Sequence, residues 1–201
     1  TRLVGSEMCI RDRYIGNKYV YLPELSLRYT GQKTFQFDNS HKTIALYLGG
    51  ENKEFRKYPD EYAVQLLRLL NRQGYNLLLI GDENDNIKHT QYAEEARIDH
   101  LINLTARTTI EGFINTIANV DLIITIDSSA LHIAAAVKTP FIALMGLSTS
   151  PTSTILPKVP LGRILKIENN LIREEDYIRN ITPDLLSLIH ISEPTRRVVI
   201  S

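Results

Sequence analysis

Residues 121–136 read Asp121-Leu122-Ile123-Ile124-Thr125-Ile126-Asp127-Ser128-Ser129-Ala130-Leu131-His132-Ile133-Ala134-Ala135-Ala136. The stretch Asp121–Ile126 is almost continuously apolar, the pattern of a strand covered on both faces rather than one. A polar turn follows, and Ala130–Val137 reads as a short helix whose small side chains let it pack close to a sheet. Thr139-Pro140 then leads into Pro140–Met145, a second uninterrupted apolar strand ending at Gly146. Two such strands joined by a short helix are the mark of a parallel sheet sandwiched between helices.

The same alternation extends in both directions. Upstream, Leu101–Leu104 is a short strand, and 109–119 a helix with Ile110, Phe113, Ile114 and Ile117 on one face. Before them, Tyr75–Ile80 is a strand closed by Gly81-Asp82, and 86–97 a polar helix with Ile87, Tyr92, Ala93 and Ala96. Thr43–Leu48 is the first strand and ends in Gly49-Gly50. Pro59 opens the next helix, since its missing N–H costs nothing in a first turn. Tyr62, Leu66, Leu69 and Leu70 recur at helical spacing, and Gly74 is a suitable stop. Downstream, Arg163–Ile167 reads as a sixth strand, and a last helix begins near Pro183. The fold class is therefore α/β: an open, doubly wound, mostly parallel Rossmann-like sheet, with no internal repeat and no low-complexity tract.

The 201 residues carry 23 basic and 23 acidic side chains, one Cys and no Trp. Zero net charge argues against a nucleic-acid binder acting through bulk electrostatics. A single Cys excludes an intramolecular disulfide framework and a Cys-cluster zinc site. No apolar run is long enough for a transmembrane helix.

The ends differ from the middle. Residues 1–13 (TRLVGSEMCIRDR) and 187–201 (SLIHISEPTRRVVIS) have neither a helical nor a strand period. Both strings resemble translated sequencing-adapter read-through, which recurs at the ends of reading frames assembled from environmental DNA. The organisation expected is an artefactual head over 1–13, a linker or remnant of a preceding domain over 14–42, a Rossmann-like domain over 43–186, and an artefactual tail over 187–201. The head and tail hold five basic and three acidic residues, so the interior has 18 against 20, a net charge of −2, and loses the only cysteine, Cys9.

In such a sheet, ligands bind outside the carboxyl ends of the strands. That rule selects Gly49–Tyr58, Gly81–Asp85, Thr105–Thr109, Asp127–His132 and Gly146–Thr152 before any family is named. Asp127-Ser128-Ser129 precedes the alanine-rich helix, whose first-turn N–H groups and dipole form an anion site. The two serine hydroxyls can add donors to phosphate oxygens; equally, Asp or Ser here can cap the helix and do nothing else. His132 is open to a structural or a functional reading. Lys53, Arg56 and Lys57 suit a diphosphate or a solvated loop. Gly81–Asp85 is acidic, fit for ribose hydroxyls or for a surface turn and cap. His41, His89 and His100 are scattered, with no ligand spacing. G-x-G-x-x-G, a P-loop, H-E-x-x-H and G-x-S-x-G are all absent, which removes support from dinucleotide, NTPase, zincin and α/β-hydrolase readings.

Taken in order, these loops resemble glycosyltransferase family 9, the ADP-heptose:lipopolysaccharide heptosyltransferases, from about Thr43 to Leu186. The family's K-x-W-P motif is met by Arg56-Lys57-Tyr58-Pro59, and its G-G/D-x-x-E loop by Gly81-Asp82-Glu83-Asn84-Asp85. Its L-x-G-x-T/S-x-L segment is met by Leu104–Ile110, with Ala106 for Gly. Its D-S/T-G-x-x-H-x-A-A-A motif is met by Asp127–Ala136, with Ser129 for Gly; Thr139-Pro140 and Met145-Gly146 follow. The resemblance implies the C-terminal, donor-binding half of a two-domain GT-B enzyme that transfers heptose from ADP-heptose, with inversion, to a lipopolysaccharide core acceptor. It implies no required metal or other cofactor. By carry-over, Arg56 and Lys57 hold the diphosphate, Asp85 the ribose, and Asp127, Ser128, Ser129 and His132 surround diphosphate and sugar. The catalytic base is an acidic residue of the N-terminal domain, so this chain holds no catalytic residue and is expected to be inactive alone. The parent's expected location is the cytoplasm, peripheral at the inner-membrane face. Readings of another class remain: a non-enzymatic nucleotide or phosphosugar binder, or a GT-B-like epimerase.

Overall fold

The computed structural model describes residues 27–49, 57–145, 162–166 and 178–190. The expectations for residues 1–26 and 191–201, and those placed on Lys53, Arg56 and Gly146–Thr152, lie outside the described residues.

Six strands form one sheet: β1 (Thr43–Tyr47), β2 (Asn76–Leu79), β3 (Leu101–Asn103), β4 (Leu122–Ile126), β5 (Phe141–Met145) and β6 (Gly162–Lys166). Their order is β3-β2-β1-β4-β5-β6, and every pairing is parallel. The central register sets Ala45 against Leu78 on one side and Ile123 on the other. Both faces of the four middle strands are closed to water, which is why their sequences show no alternation.

Five helices cover the sheet: α1 (Asp60–Arg72), α2 (Asn86–Ala96), α3 (Ile110–Ala118), α4 (Ser129–Ala136) and α5 (Pro183–His190). In α1 the buried residues Ala63, Val64, Leu66, Leu67 and Leu70 make one apolar stripe. The helix α1 packs on α2 and α5, while α3 packs on α4. Right-handed crossovers place these two groups on opposite faces of the sheet. The winding therefore reverses between β1 and β4, where the strand order departs from chain order.

Differences from the sequence reading are small and local. Pro59 is the N-cap of α1 rather than a residue inside it, with φ −56° and ψ 138°. The helix after β4 begins at Ser129, one residue earlier than expected. At the C-terminal side, α5 runs through His190, past the junction expected at 187. Gly74 follows the end of α1 with φ +83°, the left-handed stop its position suggests.

Residues 27–42 contain neither helix nor strand, yet they are tied to the domain. Gly31 N–H donates to Asn115 Oδ1 at 2.9 Å, Asn115 Nδ2 donates to Thr30 Oγ1 at 2.8 Å, and the hydroxyls of Thr34 and Thr116 meet at 2.6 Å. Asn39 and Asn76 exchange side-chain amide bonds of 3.0 and 2.7 Å beneath β2. These bonds explain three polar residues that would otherwise be costly to bury: Asn76, Asn115 and Thr116.

Candidate functional site

The turn after β4 lies at the reversal point. Thr125 is fully buried in an apolar strand; its hydroxyl donates to the Ile126 carbonyl at 3.0 Å and meets Ser128 Oγ at 2.9 Å. Ser128 occupies the N-cap position of α4 with extended backbone, φ −151° and ψ 171°. Its side chain makes no cap hydrogen bond, because the hydroxyl is turned to Thr125 instead. The capping explanation of Ser128 therefore fails on geometry, and the first-turn N–H groups of α4 keep no side-chain acceptor from their own N-cap. Ser129 is exposed, whereas Asp127 and His132 are half-buried. Behind them Ala130, Leu131, Ala134 and Ala135 are buried, which seats the helix end-on at the sheet edge.

A second cluster lies across β1, at the ends of β1 and β2. It surrounds a cleft of about 340 Å³ whose lining includes Gly49, Lys57, Tyr58, Asp85, Lys88 and His89. The chain leaving β1 returns at Tyr58, whose N–H donates to the Leu48 carbonyl at 3.3 Å. The Tyr58 side chain is buried, and its hydroxyl donates to the Ile181 carbonyl at 2.8 Å, tying this corner to the segment before α5. Burial, reinforced by Tyr62 and Asp184, pushes the Tyr58 phenol well above its ordinary range.

Asp85 belongs to a reciprocal cap on the short 3₁₀ turn Glu83–Asp85. Asn84 N–H donates to Asp82 Oδ1 at 2.8 Å, and Asp82 N–H donates to Asp85 Oδ2 at 3.2 Å. Its carboxylate fills the space above two glycines. A Cβ on Gly49 would stand 1.7 Å from Asp85 Oδ1, and one on Gly81 would stand 2.6 Å from Oδ2. The glycines that close β1 and β2 are thus required by this one carboxylate.

Asp60 accepts hydrogen bonds from Lys88 and from the Tyr92 hydroxyl, joining α1 to α2. Partial burial pushes its carboxyl up, but those two donors outweigh burial and hold it below its ordinary value. Tyr92 is pushed upward by burial and by the Asp60 carboxylate.

His89 is the member of this corner that sequence spacing missed. It is fully buried, and its Nδ1 meets the buried hydroxyl of Thr105 at 2.7 Å. Its Nε2 has no hydrogen-bond partner among the described residues. Burial drives its pKa down to about 4, only partly offset by Asp82, so the imidazole is neutral at pH 7. One signal in the sequence could have marked it: a histidine four residues after Asp85 shares that residue's helical face.

The expected site residues therefore divide. Lys57 and Asp85 line one cleft, while Asp127, Ser128, Ser129 and His132 stand at the end of the neighbouring strand. Parallel pairing of β1 with β4 sets both groups on the same edge of the sheet. Among the described residues, no group of three or more His, Cys, Asp or Glu side chains could hold a metal ion, and no helix is long and apolar enough to cross a membrane.

Comparison with known proteins agrees with this arrangement. Residues 18–175 match glycosyltransferase family 9 (heptosyltransferase). Lipooligosaccharide heptosyltransferase 2 of Haemophilus influenzae is 32% identical over 149 residues, which cover 68% of this chain and 43% of that protein. Lipopolysaccharide heptosyltransferase 2 of Salmonella typhimurium is 26% identical over 118 residues. The chain spans less than half the length of these curated relatives. Among solved structures, the ADP-heptose heptosyltransferase II of E. coli superposes with a TM-score of 0.62 at 20% identity, over 91% of this chain and 49% of that one. The E. coli heptosyltransferase WaaC with ADP gives 0.63 at 15% identity, over 75% of this chain and 44% of that one. The chain belongs to glycosyltransferase family 9.

Proposed function

With that membership as premise, we propose that this chain is the donor-binding half of a heptosyltransferase, holding ADP-heptose for transfer to a lipopolysaccharide core sugar. The observation that carries the reading is the turn Asp127–His132 at the reversal of the sheet. The Ser128 side chain turns away from the start of the helix, and a helix N-terminus at this place in the sheet is suited to a diphosphate. The ADP and heptose of this reading come from the heptosyltransferases this chain resembles, each more than twice as long as the matched segment.

In this reading the acceptor hydroxyl oxygen bonds to the anomeric carbon as the bond from that carbon to the ADP diphosphate breaks. The hydroxyl proton passes to an acidic residue of the partner domain, and the sugar configuration inverts. This chain's part is to bind and to stabilise the leaving charge. The α4 N–H groups and Ser128 face the diphosphate, and Arg56 and Lys57 neutralise it from the β1 loop. Asp127, Ser129 and His132 border the diphosphate and sugar, and Asp85 takes the ribose. The full enzyme would work in the cytoplasm against the inner-membrane face.

Calorimetry with ADP on the 201-residue chain tests the reading. Binding is expected, and replacing Arg56 with Ala should weaken it about tenfold, the loss of one charge-assisted hydrogen bond; Ser128→Ala, whose hydroxyl must first leave Thr125 to reach the diphosphate, should weaken it less. Unchanged affinity in both variants would remove the diphosphate assignment.

A further inference from the structure

The donor reading gives Asp85 and Lys57 of the cleft beside β1 a role, but not His89. His89 borders the cleft but is fully buried: one nitrogen is committed to Thr105, and the other, Nε2, is closed to solvent and unpartnered among the described residues, so a ligand reaches it only by displacing what covers it. A buried polar atom left without a partner costs about 1–3 kcal/mol, so such an atom is a feature to be explained. Burial also disfavours its charged form, which makes it a poor partner for a phosphate and a good one for a neutral polar group. The cationic side chains of this corner, Lys57 and Lys88, lie on the same cleft and are the better match for negative charge.

We propose that His89 Nε2 is a specificity-determining contact of this cleft, hydrogen-bonding the nucleoside of the donor rather than its diphosphate. The inference rests on the donor reading above and adds a residue to it. The bond to Thr105 fixes the ring plane and links tautomer to ligand. If the Thr105 hydroxyl donates to Nδ1, Nε2–H is the donor presented to the nucleoside; if it accepts from Nδ1–H, Nε2 is an acceptor. The stack of Tyr92 at 5.7 Å from the imidazole limits tilting of the ring. His89 thus meets the ligand in one orientation, which is what discrimination between nucleosides requires.

The test observes the His89 ring nitrogens by ¹⁵N NMR in the 201-residue chain, titrated separately with ADP, AMP, ribose 5-phosphate and pyrophosphate. The expected result is a shift of Nε2 with ADP and AMP and none with pyrophosphate. A shift with ribose 5-phosphate as well assigns the contact to the sugar; its absence assigns the contact to the base. His89→Gln should weaken ADP about tenfold by calorimetry and leave pyrophosphate affinity unchanged. His89→Asn, which keeps a polar group at shorter reach, should do the same with its fold checked by circular dichroism. ADP binding with an unmoved Nε2 signal and undiminished affinity in the variants would overturn this inference while leaving the donor reading intact. No ADP binding to the parent chain would overturn both.

Discussion

Two turns leave the sheet on either side of its central strand pair, one after β1 and one after β4, and they are wired in opposite ways. At the first corner, which the end of β2 shares, the described residues are paired within the protein: Asp85 with Asp82, Asp60 with Lys88 and Tyr92, Tyr58 with Ile181. At the second, Ser128 bonds backwards into the strand and leaves the helix terminus uncapped by its own side chain. The difference separates stability from binding. A corner satisfied by protein bonds resists substitution because each change orphans a buried group. A helix end that its N-cap side chain does not hold loses little stability when that side chain is cut back.

The severest break of that contrast is Gly49→Ala. Its methyl would fall 1.7 Å from Asp85 Oδ1, so the 3₁₀ cap must move. The expected cost is about 3 kcal/mol, at the upper end for overpacking, measured by urea unfolding. Repeating the substitution in an Asp85→Ala background should recover much of that loss. Equal losses in both backgrounds would show that Asp85 is not the obstacle. Ser128→Ala, at the other turn, should change stability by less than about 0.5 kcal/mol.

Acid acts next, and on the first corner alone. His89 titrates near 6.5 when unfolded and at about 4 in the fold, so the unfolded chain binds more protons between these values. Stability should be complete above pH 6.5 and fall progressively towards pH 4, by an amount on the order of 3 kcal/mol. Asp60 acts in a lower window: its folded pKa lies below 3.8, so its contribution is present above that value and is lost as pH falls further. His89→Gln should flatten the upper limb of the urea-midpoint profile and leave the lower one. A profile unchanged from pH 6.5 to 4 in this variant would place the proton uptake elsewhere. Tyr58→Phe follows in size. It strips the donor from a buried carbonyl at Ile181 and should cost about 1–2 kcal/mol, seen as a lower urea midpoint with the sheet intact.

How far these features were legible in sequence follows from their range. The four middle strands could be read because strands covered on both faces are apolar along nearly their whole length, and the β4–β5 pair is the clearest case; the edge strands β3 and β6, with Asn103, Arg163 and Lys166, are marked less plainly. The loop positions of Asp85, Asp127 and Ser128 followed once the strands were placed. The cap-or-ligand question at Ser128 could not be answered there, since both uses favour the same residue; only the rotamer towards Thr125 decides it. His89 could be placed on the helical face of Asp85, but its burial and its partner were illegible for a different reason. Its partner Thr105 is 16 residues away in another loop, and neither residue carries a pattern that predicts the meeting. Composition shows that a polar residue is present, but burial is a property of the packed molecule.

The smallest effect gives the finest comparison, because both turns hold a residue where the family's pattern has glycine. At the edge of the first corner, Ala106 adopts φ +57°, and its N–H donates to the Gly81 carbonyl at 3.1 Å. An L-residue in that left-handed region costs about 1–2 kcal/mol, while glycine gives back roughly 0.5–1 kcal/mol through the freer unfolded chain. Ala106→Gly should therefore stabilise by about 0.5 kcal/mol. Ser129, by contrast, is not among the residues with positive φ, and it opens α4 in ordinary helical geometry. Ser129→Gly relieves no strain and adds only entropy, so it should destabilise by a few tenths of a kcal/mol. Paired urea midpoints of the two variants, moving in opposite directions, would show that glycine serves the backbone at the first position. At the second the backbone has no need of it. Midpoints moving together would mean that the left-handed turn at Ala106 carries no strain.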